Sequence, residues 1–436
     1  MPSFYKTPPC QLLILACLGK YDILLQLLPV MGRPLERKNR QGGGYKVNIK
    51  KISRIFMLAI CLSLSYLAEG HANPLPEQKL PEVKASAACL MDTATGLIYY
   101  EKEGDKRREP ASLTKVMTAI LAIENGNLKD VVTVSKKAAV ISMGQDIGLQ
   151  TGDRLYLEDL LKAALMHSAN DSTVAIAEHI GGSHDMFVKM MNDKARALGM
   201  LHTHFANTNG FHHPDHYTTA KDLAILASYA LKNKTFAELV KTQEATITWL
   251  PNRDELKTGG AADRLPVRRL VLHNTNRLLQ SDFKGIDGVK TGTTPRAGNC
   301  LIASATREGR QLVAVILHSS NRWSDAIKLL TYGFTEVKPV VLAEKDEVMA
   351  ELPVIGGTDK KVTLVAAQKV EAYLVASDTE KVVRRITLAP APAAPVKQGS
   401  KLGTATYYLN GREIAAVDLV ANRRVDRLSW FKRWFS

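Results

Sequence analysis

Pro110-Ala111-Ser112-Leu113-Thr114-Lys115-Val116-Met117-Thr118-Ala119-Ile120-Leu121-Ala122 is the stretch on which the reading of this 436-residue chain turns. From Ser112 to Glu124 its apolar residues recur at helical spacing. Helix positions i and i+3 share a face, so Ser112 Oγ and Lys115 Nζ can meet. A serine hydroxyl attacks poorly until a base takes its proton. A lysine can be that base only where burial or neighbouring cations lower its pKa. A serine that opens a buried helix also sits beside free N–H groups, which suit a developing oxyanion. Ser3/Lys6, Ser281/Lys284 and Ser429/Lys432 repeat the spacing, but only Ser112 opens an apolar helix in the body of the chain.

Two further segments supply the polar groups such a pair requires. Ser168-Ala169-Asn170 interrupts an otherwise helical run between Leu157 and Ile180, which lets both side chains turn into a cleft. A hydroxyl there can relay a proton, and an amide can orient both the lysine and a substrate carbonyl. Lys290-Thr291-Gly292 follows Ile286-Asp287-Gly288-Val289 and leads into strand-like sequence. A cation on an edge strand can hold an anionic carboxylate, and a glycine lets substrate approach the backbone. Lys257-Thr258-Gly259 has the same letters but lies in a polar stretch, so Lys290 is preferred. Ser319-Ser320-Asn321 repeats the second spacing but falls after the third segment.

Around these segments the pattern changes period. Ala85 to Tyr100 reads as strand, turn and strand; helical runs follow to Leu231; Cys300 to Thr306 and Gln311 to His318 form a hairpin before a helix from Asp325 to Tyr332. This order implies an α+β fold, an antiparallel sheet covered by helices, over residues 80–336. Short strand-like runs between Val348 and Val420 imply a small β-rich domain over 337–421, with Leu388 to Pro395 as a stiff loop. In the tail, 422–436, Val425, Leu428, Phe431, Trp434 and Phe435 share a helical face opposite basic residues, the pattern of an amphipathic helix on an anionic membrane.

In this order, S-x-x-K, S-x-N and K-T-G resemble the penicillin-binding protein and serine β-lactamase superfamily, and within it the low-molecular-mass D-alanyl-D-alanine carboxypeptidases. The resemblance spans roughly 80–436 and includes Asp215-His216-Tyr217-Thr218-Thr219-Ala220-Lys221-Asp222. It implies Ser112 as acyl-enzyme nucleophile, Lys115 as general base and Ser168 as proton relay. Asn170 is implied to position substrate. Lys290, Thr291 and Thr293 are implied to grip the terminal carboxylate beside Gly292, with the Ser112 and Thr293 amides as oxyanion hole. Arg277 and Arg322 both stand as possible partners of that carboxylate. The implied substrate is a peptidoglycan stem peptide ending in D-Ala-D-Ala, with β-lactams as covalent inhibitors and no cofactor or metal. DD-endopeptidase or weak β-lactamase action on the same fold is the alternative. Met200 to Gly210 lacks the glutamate that class A β-lactamases use for deacylation, so slow hydrolysis of acylated penicillin is expected.

Lys46, Lys50, Lys51 and Arg54, the apolar run Ile55–Leu67 and Gly70-His71-Ala72 have the order of a secretory signal cleaved after Ala72, with translation expected to start near Met31–Val47. Export to the periplasmic side of the cytoplasmic membrane, with peripheral attachment, follows as an expectation. Net charge is +15, of which residues 1–72 supply +7. Without a basic run carrying interleaved aromatics in the body of the chain, nucleic acid is not expected as a partner. Only Cys89 and Cys300 follow Ala72, which is no disulfide framework; both read as buried strand thiols. His202, His204, His212, His213 and His216 crowd fifteen residues, but no H-E-x-x-H accompanies them, so a polar loop near the cleft is expected rather than a zinc site.

Overall fold

The structure, a computed structural model, describes residues 80–141, 144–250 and 268–429. The signal-like leader, the rival Lys257-Thr258-Gly259 and the end of the tail lie outside the described residues.

Strand β1 (Ala87–Asp92) turns back as β2 (Ile98–Lys102). A 3-10 turn (Ala111–Thr114) then leads into helix α1 (Lys115–Asn125). The small strands β3 (Val131–Thr133) and β4 (Arg154–Tyr156) bracket helix α2 (Lys136–Ala139). Helix α3 (Leu157–Lys162), a π turn (Ala163–His167), α4 (Asn170–Gly181), α5 (His184–Ala197), α6 (Ala220–Leu231) and α7 (Lys234–Lys241) follow. Next come the hairpin β5 (Glu244–Thr248) and β6 (Arg269–His273), then β7 (Ile286–Thr294), β8 (Gly298–Arg307), β9 (Arg310–Ser319) and α8 (Arg322–Thr335).

The central sheet is antiparallel in the order β2-β1-β9-β8-β7. Its strands are apolar on both faces because both are covered. Ala87, Cys89, Met91, Val313, Val315 and Leu317 face the helical block, whereas Ala88, Leu90, Leu312, Ala314 and Ile316 face α8. This two-residue alternation is the strand pleat itself. Both cysteine thiols are buried and free. Strand β7 is left at the sheet edge, with Lys290 opposite Ile302 and Gly292 opposite Cys300.

The remaining strands are β10 (Lys338–Ala343), β11 (Val348–Pro353), β12 (Lys361–Ala366), β13 (Val370–Leu374), β14 (Val383–Leu388), β15 (Lys401–Leu409) and β16 (Arg412–Ala421). They form a second five-stranded antiparallel sheet, β11-β12-β16-β15-β14, and the pair β10-β13. The outer face of the central sheet runs into this core, and Tyr99 Oη donates to Tyr373 O at 3.1 Å.

Three sequence expectations change. The helix expected from Ser112 begins as a 3-10 turn and becomes α-helical only at Lys115. Strands β3 to β6 and β10 were not anticipated; they are short or polar, and β10 carries Pro339. The amphipathic helix over 422–436 is corrected for its first part. Residues 422–428 are not helical: Val425 exchanges backbone hydrogen bonds with Val396 at 2.9 Å each way, and Leu428 N donates to Gly356 O. Val425 is fully buried in the β-rich core, so its apolar side chain is already used there.

Candidate active site

The turn that opens α1 is forced into shape by its neighbours. Ala111 has φ +49°, in the left-handed region that residues with a Cβ avoid. Gly210, at φ +93°, lies so close that a Cβ there would fall 1.8 Å from Ala111 O. On the other side, a Cβ on Gly292 of β7 would lie 3.0 Å from the Ser112 backbone N. The turn is thus gripped between the 206–216 loop and the edge strand, and Ser112 projects into the cleft between them.

One helical step on, Lys115 is fully buried. Its Nζ lies 2.9 Å from Ser112 Oγ, 2.7 Å from Asn170 Oδ1 and 2.9 Å from Asn209 O. Burial and then the charge of Lys290 push its pKa well below that of an ordinary lysine, with Asp171 pulling the other way. All three partners can accept from Nζ, and the Ser112 hydroxyl can instead donate to it once the amine is neutral. Two neighbours are carbonyl oxygens that can only accept, and the third is a hydroxyl that can donate. An NH2 group offers two protons to the carbonyls and a lone pair to the Ser112 hydroxyl.

The second segment is delivered by a defect in the helix. The π turn Ala163–His167 ends at Ser168 in left-handed conformation (φ +68°), and α4 starts at Asn170. Ser168 and Asn170 therefore turn into the cleft. A Cβ on Gly144 would lie 2.8 Å from Asn170 Nδ2, so the 144–149 loop packs directly on this amide. That loop is held by the buried Asp171, whose carboxylate accepts from the backbone N–H groups of Ile147 (3.1 Å) and Leu149 (3.0 Å).

The third segment is β7. Lys290 is 1% exposed, and its Nζ donates to Thr291 O at 3.0 Å. Burial and then Arg322 push its pKa down to about 7. Thr291 Oγ1 lies 2.6 Å from Thr275 Oγ1. Arg322, the first residue of α8, donates through Nη1 to Thr293 Oγ1 at 2.8 Å and to Gly292 O at 2.9 Å. The resulting cleft is about 840 Å³, and its lining includes Ser112, Ser168, Asn170, Thr291, Thr293 and Arg322. Three distant stretches of chain thus supply one hydroxyl, one amine whose pKa is lowered by burial, and one basic wall.

This arrangement agrees with the comparisons to known proteins. Residues 75–321 match the family model for D-alanyl-D-alanine carboxypeptidase, and 338–427 match that for the C-terminal domain of penicillin-binding protein 5. The chain belongs to the D-alanyl-D-alanine carboxypeptidase family. D-alanyl-D-alanine carboxypeptidase DacF of Bacillus subtilis is 32% identical over 78% of this chain and 85% of its own length. DacC of Escherichia coli is 31% identical over 81% and 87%. Among solved structures, penicillin binding protein 5 from Haemophilus influenzae superposes with a TM-score of 0.60 at 27% identity, covering 80% of this chain and 99% of that one. The chain is a serine-type D-Ala-D-Ala carboxypeptidase with the penicillin-binding fold. Its family is one of cell-wall enzymes acting outside the cytoplasm, which implies a peptidoglycan substrate ending in D-Ala-D-Ala and binding of β-lactams.

Ser112, Ser168, Asn170, Thr291, Gly292 and Thr293 meet at one cleft; Lys115 is buried behind Ser112 Oγ, and Lys290 lies beneath the wall rather than on it. Arg277 also lines the cleft, but only Arg322 bonds to the Gly292-Thr293 edge. The decoy Asn321 is a helix cap, accepting from Ser324 N. Sequence reasoning missed the Asn209 carbonyl and Thr275; a backbone acceptor has no residue type to betray it. The histidines do not converge as a metal set among the described residues.

Proposed function

We propose that Ser112 is the nucleophile, activated by neutral Lys115, and the observation that carries this is the set of three contacts at Lys115 Nζ. The Ser112 hydroxyl proton passes to Lys115 as Oγ attacks the penultimate D-Ala carbonyl, and the oxyanion is met by the Ser112 and Thr293 backbone N–H groups. Proton return through Ser168 to the leaving nitrogen releases D-alanine and leaves an ester on Ser112. Water then hydrolyses the ester. Asn170 positions the acyl amide. Thr291, Thr293 and Arg322 hold the terminal carboxylate, Lys290 adds positive potential from below, and Gly292 keeps the strand open for the substrate backbone. Brief penicillin treatment followed by mass spectrometry tests this: the adduct is expected on Ser112 and absent in Ser112→Ala. An adduct that persists in the variant overturns the assignment. With no acidic residue in Met200–Gly210, the adduct is expected to be long-lived.

We also infer that residues 1–72 are an export leader, that 80–336 is the catalytic domain and 337–421 a separate β-rich domain, and that the enzyme works at the periplasmic face of the membrane. Among the described residues no helix is long and apolar enough to cross a membrane. Peripheral attachment is therefore assigned to the tail Trp430-Phe431-Lys432-Arg433-Trp434-Phe435, whose aromatic and basic residues suit an anionic interface. Deleting 430–436 is expected to abolish flotation with anionic vesicles; retained flotation refutes the assignment.

A further inference from the structure

The 206–216 loop contains a group that the mechanism above does not use. His216 is buried, its ring edge-on to Phe205 at 5.8 Å between centroids. Its Nδ1 accepts from the backbone N–H of Ala206 at 3.0 Å. That contact fixes the tautomer, because Nδ1 must present its lone pair and the ring proton must sit on Nε2. Nε2 lies 2.8 Å from Thr114 Oγ1, so this N–H donates to the threonine hydroxyl. The hydroxyl's one proton is then directed to Ala111 O, 2.9 Å away. Thr114 and Ala111 are both fully buried.

A single backbone N–H at Ala206 therefore sets the direction of a chain of hydrogen bonds that ends on the carbonyl just before Ser112. That carbonyl belongs to the residue at φ +49°, a conformation that persists only where the surroundings hold it. The same loop carries Asn209, whose carbonyl accepts from Lys115 Nζ. We propose that His216, through Thr114, is a positioning residue for acylation: it ties the cleft-wall loop to the nucleophile turn and holds Ser112 Oγ in register with Lys115. The inference rests on Ser112 being the nucleophile.

Substitutions separate this from a purely structural role. An asparagine at 216 can accept from Ala206 N–H but is too short to reach Thr114. A glutamine reaches Thr114 with an amide N–H. The reading is the acylation rate by a fluorescent penicillin in folded, full-length protein, beside KM and kcat for a D-Ala-D-Ala peptide and the melting temperature. His216→Asn is expected to slow acylation and kcat by roughly 10- to 100-fold, the scale of an ångström-level misplacement, with KM changed less than about twofold. His216→Gln is expected to recover most of the loss. Thr114→Val should match His216→Asn, and the double variant should be no slower than either single one. Equal rates in Asn and Gln variants, additive losses in the double variant, or a fall in melting temperature with unchanged acylation each overturn the proposal. A Ser112→Ala protein that still forms the adduct would instead refute the nucleophile assignment on which it rests.

Discussion

Replacing Gly210 by alanine tests the central geometric claim, that the position of the 206–216 loop sets the position of the nucleophile. The new Cβ would start 1.8 Å from Ala111 O, and real contacts of this kind do not fall below 3.0 Å, so loop or turn must move by about 1.2 Å. Alanine at φ +93° adds a backbone cost of about 1–3 kcal/mol. For a domain of this size each kcal/mol lowers the melting midpoint by roughly 2–4 °C, so a fall of about 5 °C is expected. The functional effect should be larger than the stability effect, since a shift of about 1 Å at a reacting group costs on the order of 100-fold. Gly309→Ala is the control. It carries the same class of strain, φ +77°, with nothing within 4 Å of its Cβ. It should lose stability and keep its acylation rate. Stopped-flow acylation by penicillin and thermal melting, run on both variants, give the answer. If folded Gly210→Ala acylates within threefold of the parent, the loop does not set the register of Ser112 and the reasoning fails.

Lys115→Arg should abolish acylation, a loss of about 100- to 10,000-fold, because a guanidinium cannot become a base at working pH. In the parent enzyme, protonation of Lys115 removes the base, so acylation should fall as pH drops through its lowered pKa, by up to about tenfold per unit; a flat acid limb would count against it. Arg322→Leu removes a charged donor from the Thr293 edge and should raise KM by roughly 10- to 100-fold while kcat falls less, read by steady-state release of D-alanine. Asp171→Asn keeps the shape but weakens the acceptor that holds the Ile147 and Leu149 amides; a loss of about 1.5–3 kcal/mol in urea unfolding is expected.

The Ser112/Lys115 pair was legible because helical spacing, burial and chemistry agree at one place, and the strand pairs flanking the helical block were legible from their alternation. At Ser168 the sequence indicates an interruption but not its kind. The π turn and the left-handed serine follow from how α3 and α4 pack, which local preference does not encode. The tail misled because helical and extended readings both fit a run with Val425 and Leu428, and burial in the β-rich core decided for the extended one. The sequence marks Lys290 as a strand cation but not its depth: the amine is buried and donates to Thr291 O. Sequence alone does not separate Arg322 from Arg277; the start of α8, just after β9, brings Arg322 to the Gly292-Thr293 edge.

Two lysines buried in one site raise the question of which carries charge. Among the described residues neither forms an ion pair with a carboxylate, and each is pushed toward neutrality by burial and by a neighbouring cation, Lys290 for Lys115 and Arg322 for Lys290. Like charges so placed cannot all be held cheaply. Burial and the neighbouring cations therefore act in the same direction, lowering the pKa of Lys115 beside a wall formed by Lys290 and Arg322. On the proposed mechanism, a substrate's C-terminal carboxylate would bring negative charge to the Arg322 side and favour protonated Lys290, whose repulsion would keep Lys115 an available base. A peptide amide would leave Arg322 and Lys290 without a partner, and sites built around such groups reject the ligand that leaves them unpaired. On the proposed mechanism, the preference for a chain terminus and the activation of the serine would be two consequences of one arrangement of positive charge.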